Sequence, residues 1–412
     1  MSADLSGAGR YFPQDEYESR WARVEQEMKR RGYEAAVVWG RSGGSFDRCG
    51  DVLWLSNFYS TATGHGIDSS AENRSVSYFN ARAHNAVILQ VGRTPELQAD
   101  EDTPRAELMP IPTDHIEWHH DTVKGVAQSI NRRRVSGRVA LVGSDFFPMK
   151  YWEQLKGHTP TIDWMIDDTL VLDVRRKKSL RELDALREAG AIASRALDRL
   201  MQALIVGRSE AEAAAAAQAE VARSGGRTMM SAVSHGPLIQ YFAANPISGY
   251  SQMAPERGDI VRAWVYGPMF HGYFVDPGRT AVCGGKPTCE QRELIETNAR
   301  FIDRLVAKVR PGVKVMDVAH FGDSLMKEFG SGLDQLSEKW PHYGHTNGLM
   351  IETPFFGKEL CDAEQVVEAG WVCGSELFLS RPGIGSGGFE QNFIVHEDRN
   401  EIITRGPMIY WD

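Results

Sequence analysis

The sequence predicts a mixed α/β (α+β) fold in two domains, 1–173 and 174–412. Three observations carry this expectation. At 412 residues the chain is longer than one hydrophobic core ordinarily organises. Its first half alternates amphipathic helical segments with short apolar strand-like runs. Its second half opens on two helices and then turns to strands separated by glycine-containing turns.

In order along the chain, Glu16 to Arg31 reads as a charged amphipathic helix and Glu34–Trp39 as a short buried strand. Val52–Leu55, Ala86–Gln90, Val139–Val142 and Leu170–Asp173 read as further strands. The stretch from Gly40 to Ser75 is rich in Gly, Ser and Thr and reads as loop around a strand, a setting that carries function more often than stability. The boundary falls at Asp173–Lys178, where a basic run reads as a solvated turn. Ser179-Leu-Arg-Glu182 then has the pattern of a capping box opening a helix to about Val206. An Ala-rich helix over Glu210–Arg223 stops at Gly225-Gly226. Strands follow at Ile260–Tyr266, Gly272–Val275 and Arg279–Val282. A helix over Glu290–Arg310 is ended by Pro311-Gly312, and another runs from Val315 to Phe329. Strands return around Leu349–Ile351, Trp371–Phe378 and Phe393–Val395.

Composition bounds the function. The chain is 42% hydrophobic and 25% charged, as ordinary globular proteins are. A net charge of -9 argues against nucleic acid as a partner, since neutralising phosphates takes a basic surface. No apolar run approaches the roughly 20 residues that span a bilayer, and Met1 to Gln14 lacks a charged-then-apolar leader pattern. Five cysteines without CxxC spacing (Cys49, Cys283, Cys289, Cys361, Cys373) read as reduced thiols. A cytoplasmic enzyme acting on a small molecule is expected.

The chemistry is expected in the last third of the chain. Asp276 ends the run Gly-Tyr-Phe-Val-Asp, His345 lies in Tyr-Gly-His-Thr-Asn-Gly, Glu376 interrupts the uncharged run Gly370–Leu379, and Glu390 opens Glu-Gln-Asn-Phe-Ile-Val. A carboxylate set in an apolar strand is costly unless paired, hydrogen-bonded or bound to a metal. Three carboxylates and an imidazole make a hard O/N donor set suited to one divalent Mn, Fe, Co or Zn ion. The same four residues allow two other readings: a metal-free acid–base cluster, in which repulsion raises one carboxyl pKa with His345 as partner, or a buried ion-pair network.

These residues lie in motifs that resemble the creatinase, prolidase and methionine aminopeptidase family, with its peptidase M24-like, pita-bread fold. The resemblance covers nearly the whole chain. It rests on Lys178-Ser179-Leu-Arg-Glu182, on Gly258-Asp259, and on Gly272-Tyr273-x-x-Asp276-x-x-Arg279-Thr280. It rests equally on Pro311-Gly312, Gly344-His345-x-x-Gly348-Leu349 and Glu390-x-Asn-Phe-Ile-Val. It implies a creatinase-like N-terminal domain, a pita-bread catalytic domain and a homodimer. The family's peptidases bind two metals through two Asp, one His and two Glu. Here the first Asp is absent, its place falling on Val265 or Trp264, so the four ligands retained are those of the second ion. Two peptidase histidines are also missing, one near Asn245-Pro246 and one replaced by Glu352.

The resemblance therefore implies a departure from peptidase chemistry: a hydrolase of a C–N bond in a small polar or zwitterionic metabolite. The alternatives are a metal-dependent lyase of the dimethylsulfoniopropionate type, suggested by Gly348-Leu349-Met-Ile-Glu352-Thr-Pro354, an Xaa-Pro-type metallopeptidase, and a pseudoenzyme that binds without turnover. His345, Glu352, Glu376 and His235 are the expected catalytic residues, and Arg82, Arg279 and Tyr273 the expected substrate contacts. Arg82 lies in a segment similar to the creatinase one whose Arg reaches the neighbouring subunit's site, where a guanidinium fork can hold a carboxylate.

Overall fold

A computed structural model describes residues 11–41, 50–60, 81, 83–100, 108–243, 249–330 and 335–411. The chain divides into two compact units, Met1–Arg175 and Arg176–Asp412.

The first unit is built on a six-stranded sheet. Its elements in order are α1 (Gln14–Arg31), β1 (Ala35–Arg41), α2 (Gly50–Ser56), β2 (His84–Gln90), β3 (Glu96–Ala99), β4 (Ile116–Trp118), α3 (Thr122–Arg132), β5 (Arg138–Val142), α4 (Met149–His158), β6 (Asp163–Ile166) and α5 (Leu170–Arg176). The strand order is β4-β3-β2-β1-β5-β6, with β1 antiparallel to β2 and parallel to β5. Acidic residues open α1 and basic ones close it, as the helix dipole favours, and Gly32 ends it at φ 76°. Val37, Trp39, Ile88, Val139 and Leu141 pack with Val123, Val126 and Ile130 of α3 to form the core.

Two expected strands are helices. Val52–Leu55 lies in α2, which buries Val52, Trp54 and Leu55, and Leu170–Asp173 opens α5, which buries Leu170 and Val171. An apolar run of four residues is shorter than the repeat that separates the two periods, so pattern alone does not decide it.

The second unit holds α6 (Leu180–Ile205), α7 (Glu210–Arg223), β7 (Met230–His235), β8 (Ile260–Phe270), β9 (Tyr273–Val275), β10 (Gly278–Val282), α8 (Cys289–Lys308), α9 (Val315–Phe329), α10 (Gln335–Lys339), β11 (Gly344–Asn347), β12 (Ile351–Phe355), β13 (Val372–Arg381), β14 (Gly385–Val395) and β15 (Asn400–Ile402). Capping boxes start three helices: Ser179 with Glu182, Ser209 with Glu212, and Thr288 with Gln291. The nine strands run β12-β11-β13-β14-β10-β8-β7, with β15 on β14 and β9 on β8. Leu294, Ile295, Ile302 and Leu305 of α8 pack on Leu377, Leu379, Phe389 and Phe393 of the central hairpin.

The register of this sheet positions the site. Glu376 of β13 stands directly opposite Glu390 of β14. Glu390 stands opposite Gly278 of β10, and Gly278 opposite Trp264 of β8. One row across four strands thus carries two carboxylates, a glycine and an indole. Gly278 leaves room for the indole, because a Cβ there would come within 2.0 Å of Trp264 Cε2. Gly278→Ala is expected to lose about 1–3 kcal/mol of stability through this overpacking, measured as a lowered denaturant midpoint; an unchanged midpoint would show that the indole moves freely.

Candidate active site

Four of the expected residues converge. His345 Nε2 lies 3.3 Å from Asp276 Oδ2, 3.5 Å from Glu390 Oε1 and 3.8 Å from Glu376 Oε1. Ligand atoms of Asp276, His345 and Glu390 all fall within 4.8 Å of one another. The other ring nitrogen, Nδ1, lies 3.2 Å from the Thr346 carbonyl oxygen. A hydrogen bond there fixes the tautomer that leaves Nε2 free for a metal. Gly374 keeps the space open, since a Cβ would stand 2.4 Å from Glu390 Oε1.

Two asparagines hold Asp276. Asn347 Nδ2 and Asn392 Nδ2 donate to Asp276 Oδ1 at 3.0 and 2.8 Å, turning Oδ2 toward His345. Both donors are neutral, so the carboxylate is oriented without its charge being cancelled. Trp264 Nε1 donates to Glu390 Oε2 at 2.9 Å, which leaves Oε1 for the cluster. Glu376 Oε1 is 3.1 Å from His342 Nδ1.

All four central groups are buried, and their charges are strongly coupled. Burial alone would push the His345 imidazole down, but Asp276 beside it, with help from Glu376, outweighs burial and lifts it to about 9. Burial would raise Asp276, yet His345 and the hydrogen bonds to its carboxylate hold it below the usual range. Glu390 is pushed well up, by burial first and then by Asp276 and Glu376. Metal-free protein therefore retains protons here that a bound cation would displace.

The donor set fits one metal ion: Asp276, His345 and Glu390 would hold it, with Glu376, whose Oε1 is 3.8 Å from His345 Nε2, as the fourth ligand the sequence expects. Three carboxylates meet at one imidazole, and the described residues lining the cavity around them include no Lys or Arg to offset the charge. A second ion does not fit in the same way. The place that the resemblance gives the first Asp, at Trp264 or Val265, is taken by the Trp264 indole, which spends its single donor on Glu390.

The cavity beside the cluster measures about 200 Å³ and is lined by Phe242, Trp264, Tyr266, Trp340, Phe355 and the cluster itself. Burial, with Asp276 nearby, pushes the Tyr266 phenol up to about 12.

The other expected residues do not line it. Glu352 pairs with Thr346 across β11 and β12, on the face of the strand away from His345. There it is 3.0 Å from Lys178 Nζ and accepts from Leu349 N. His235 is three positions along β7 from Ala232, the cross-strand partner of Trp264. That offset places it on the opposite face and roughly 10 Å away, where its Nε2 lies 3.1 Å from Glu210 Oε1, too poorly aligned for a hydrogen bond. Tyr273 donates its hydroxyl to Glu182 of α6 at 2.8 Å. Arg279 follows Gly278 and so points the other way, donating to the carbonyls of Gly278, Glu390, Thr404 and Pro407 and to Gln391 Oε1. Burial brings its guanidinium down to about 10. These four read in the structure as supports rather than contacts, and Arg82 lies outside the described residues.

Sequence reasoning passed over His342, Asn347, Asn392, Phe242 and Trp340. Asn347 and Asn392 each sit two residues beyond a ligand on the same strand, and same-face alternation is a signal that points to them. For Phe242, Trp340 and His342 we find none.

The description "Metallopeptidase family M24" fits residues 184–397. The chain belongs to this family. A probable dipeptidase PepE of Mycobacterium tuberculosis is 31% identical over 245 residues, 58% of this chain and 62% of that protein, so the match spans under two thirds of the relative. An Xaa-Pro dipeptidase of Pyrococcus horikoshii is 25% identical over 262 residues, 63% of this chain and 71% of the relative. Among solved structures, an Xaa-Pro dipeptidase from Bacillus anthracis superposes with a TM-score of 0.73 at 20% identity, covering 95% of this chain and 99% of that one. The dipeptidase PepE from Mycobacterium ulcerans gives 0.73 at 20%, covering 97% and 100%. The pita-bread fold expected from the motifs is the fold found.

Two outcomes follow from the cluster. Metal-free protein is expected to lose stability as pH rises from about 6.5 through about 9, because the folded state there holds a proton on His345 that the unfolded chain releases. The loss is about 3 kcal/mol from this group; Glu390, also raised, acts in the same direction. Added Mn, Fe, Co or Zn should abolish the slope in thermal melts, and a flat metal-free profile would contradict the charge assignment. Glu352→Gln should retain the wild-type metal content while losing about 3 kcal/mol, since it strands Lys178 in the interior; loss of metal would instead place Glu352 at the site.

Proposed function

We propose that the chain is a hydrolase of a C–N bond in a small molecule, working with a single divalent transition ion. The observation that carries this is the convergence of Asp276, Glu376 and Glu390 on His345 Nε2, beside a small cavity. Relatives named dipeptidases favour a dipeptide as the substrate class. The narrower non-peptidase reading has less behind it, though the indole at the first-ion position and Glu352 facing away from the cavity do set this chain apart.

The ion, when bound, would act as a Lewis acid on the substrate carbonyl and would lower the pKa of a water. The residues do the rest. Asp276 is locked by its asparagines, so the donor set keeps its geometry through turnover. Glu376, with His342 at 3.1 Å, is the carboxylate placed to take a proton from the attacking water. A C–O bond then forms at the carbonyl carbon, the C–N bond breaks, and the proton passes to the departing nitrogen. We infer further that the chain is a cytoplasmic homodimer. Among the described residues no helix is long and apolar enough to cross a membrane, and light scattering would give the assembly state.

The test is incubation of metal-loaded protein with Xaa-Pro and other dipeptides in ¹⁸O water. One solvent oxygen in the new carboxylate is expected, and Glu376→Gln should slow release by about 10²–10⁴-fold. Cleavage without solvent oxygen would indicate elimination and overturn the reading. Elemental analysis should find about one ion per chain, lost in His345→Ala.

A further inference from the structure

The cavity over the cluster is walled mostly by rings, with the Tyr266 hydroxyl, the His342 imidazole and the Trp340 indole N–H as its polar groups beside the carboxylates. The Phe242 centroid lies 5.3 Å from Trp264 and 5.4 Å from Trp340. Behind them Phe378 stacks on Trp264 at 5.2 Å and meets Trp340 edge-on at 4.8 Å. Phe242 and Trp340 are only half-buried, so part of each ring is left to the cavity they line.

This wall is built in place. Arg262 is fully buried, and its Nη2 donates to the carbonyl oxygens of Ile239 and Tyr241 at 2.8 and 2.7 Å. Ser234 Oγ donates to the Phe242 carbonyl at 3.1 Å. The short segment that carries Phe242 is thus fastened to β7 and β8 by interior hydrogen bonds. A ring held this way costs little ordering on binding.

The electrostatics select a sign. Ring faces carry negative quadrupole density, and three carboxylates form the floor. One divalent ion leaves them with a net negative charge, and no Lys or Arg is among the described lining residues. An anionic head would be repelled by that charge. A primary ammonium needs acceptors for three N–H bonds, whereas the carboxylates are committed to the cluster. A fully alkylated, quaternary ammonium is cationic and has no N–H to satisfy, so ring faces suit it.

We propose that the cavity seats a quaternary ammonium group of the substrate against Phe242, Trp264 and Trp340. The proposal rests on the hydrolase reading of the same site and replaces a free dipeptide, which carries a primary ammonium and a carboxylate, with a small molecule bearing a quaternary ammonium near the scissile C–N bond.

The experiment is calorimetric titration of metal-loaded protein with choline and with its neutral isostere 3,3-dimethylbutan-1-ol, at matched ionic strength. Choline is expected to bind about tenfold tighter, in the range of a cation–ring contact. In Phe242→Leu and Trp340→Leu the ratio should fall to about one while metal content stays at the wild-type level. Equal affinities in the wild type, tighter binding of the neutral probe, or no binding of either would overturn the proposal without any variant being made. So would a preference that survives both substitutions. The hydrolase reading is judged separately by solvent-oxygen incorporation, so choline selectivity without hydrolysis, or hydrolysis without selectivity, tells which of the two has failed.

Discussion

Two glutamates facing each other across adjacent strands are the constraint on which the catalytic unit depends. Glu376 and Glu390 occupy a directly opposed pair in β13 and β14, an arrangement that destabilises a sheet when both are charged. Two like charges about 4 Å apart repel by about 4 kcal/mol at an effective dielectric of 20, and Asp276 adds a third. The hairpin tolerates this because it is long, its other face is packed by α8, and His345 stands where it offsets part of the charge. The cluster stores a demand for positive charge that protons meet in metal-free protein and that a bound ion would meet in their place.

The sheet separates chemistry from support by face. On one face lie the ligands, the asparagines that aim Asp276, and the Trp264 indole. Glu352, His235 and Arg279 alternate to the other, where Lys178, Glu210 and a row of backbone carbonyls receive them. Tyr273 is tied to the start of α6 through Glu182. A buried ion pair such as Lys178–Glu352 contributes little net stability, yet it is costly to break. These contacts hold the strands that carry the ligands in register.

In the single-ion reading proposed above, the Trp264 indole stands at one of the two positions, Val265 or Trp264, that the resemblance gives to the family's first Asp. Trp264 brings bulk and one N–H donor to a position where a carboxylate would have brought charge. It fills volume, orients Glu390, and becomes part of the ring wall of the cavity.

The convergence of Asp276, His345, Glu376 and Glu390 was legible in the chain because each is a charged or imidazole group in an apolar strand, a placement that burial penalises unless something offsets it. The helices that begin at Ser179, Ser209 and Thr288 were legible for a local reason, since a capping box is written within four residues. The identity of short apolar runs such as Val52–Leu55 was not, because helix and strand differ there only in what they pack against. Nor was the face on which Glu352, His235 and Arg279 emerge. Side chains alternate along a strand, so a shift of one residue in register or turn length moves a group from the cavity to the far side. Register is a property of paired strands and lies beyond the reach of one segment read alone, which is why the tertiary structure decided which of the expected residues meet and brought His342, Phe242 and Trp340 to the site.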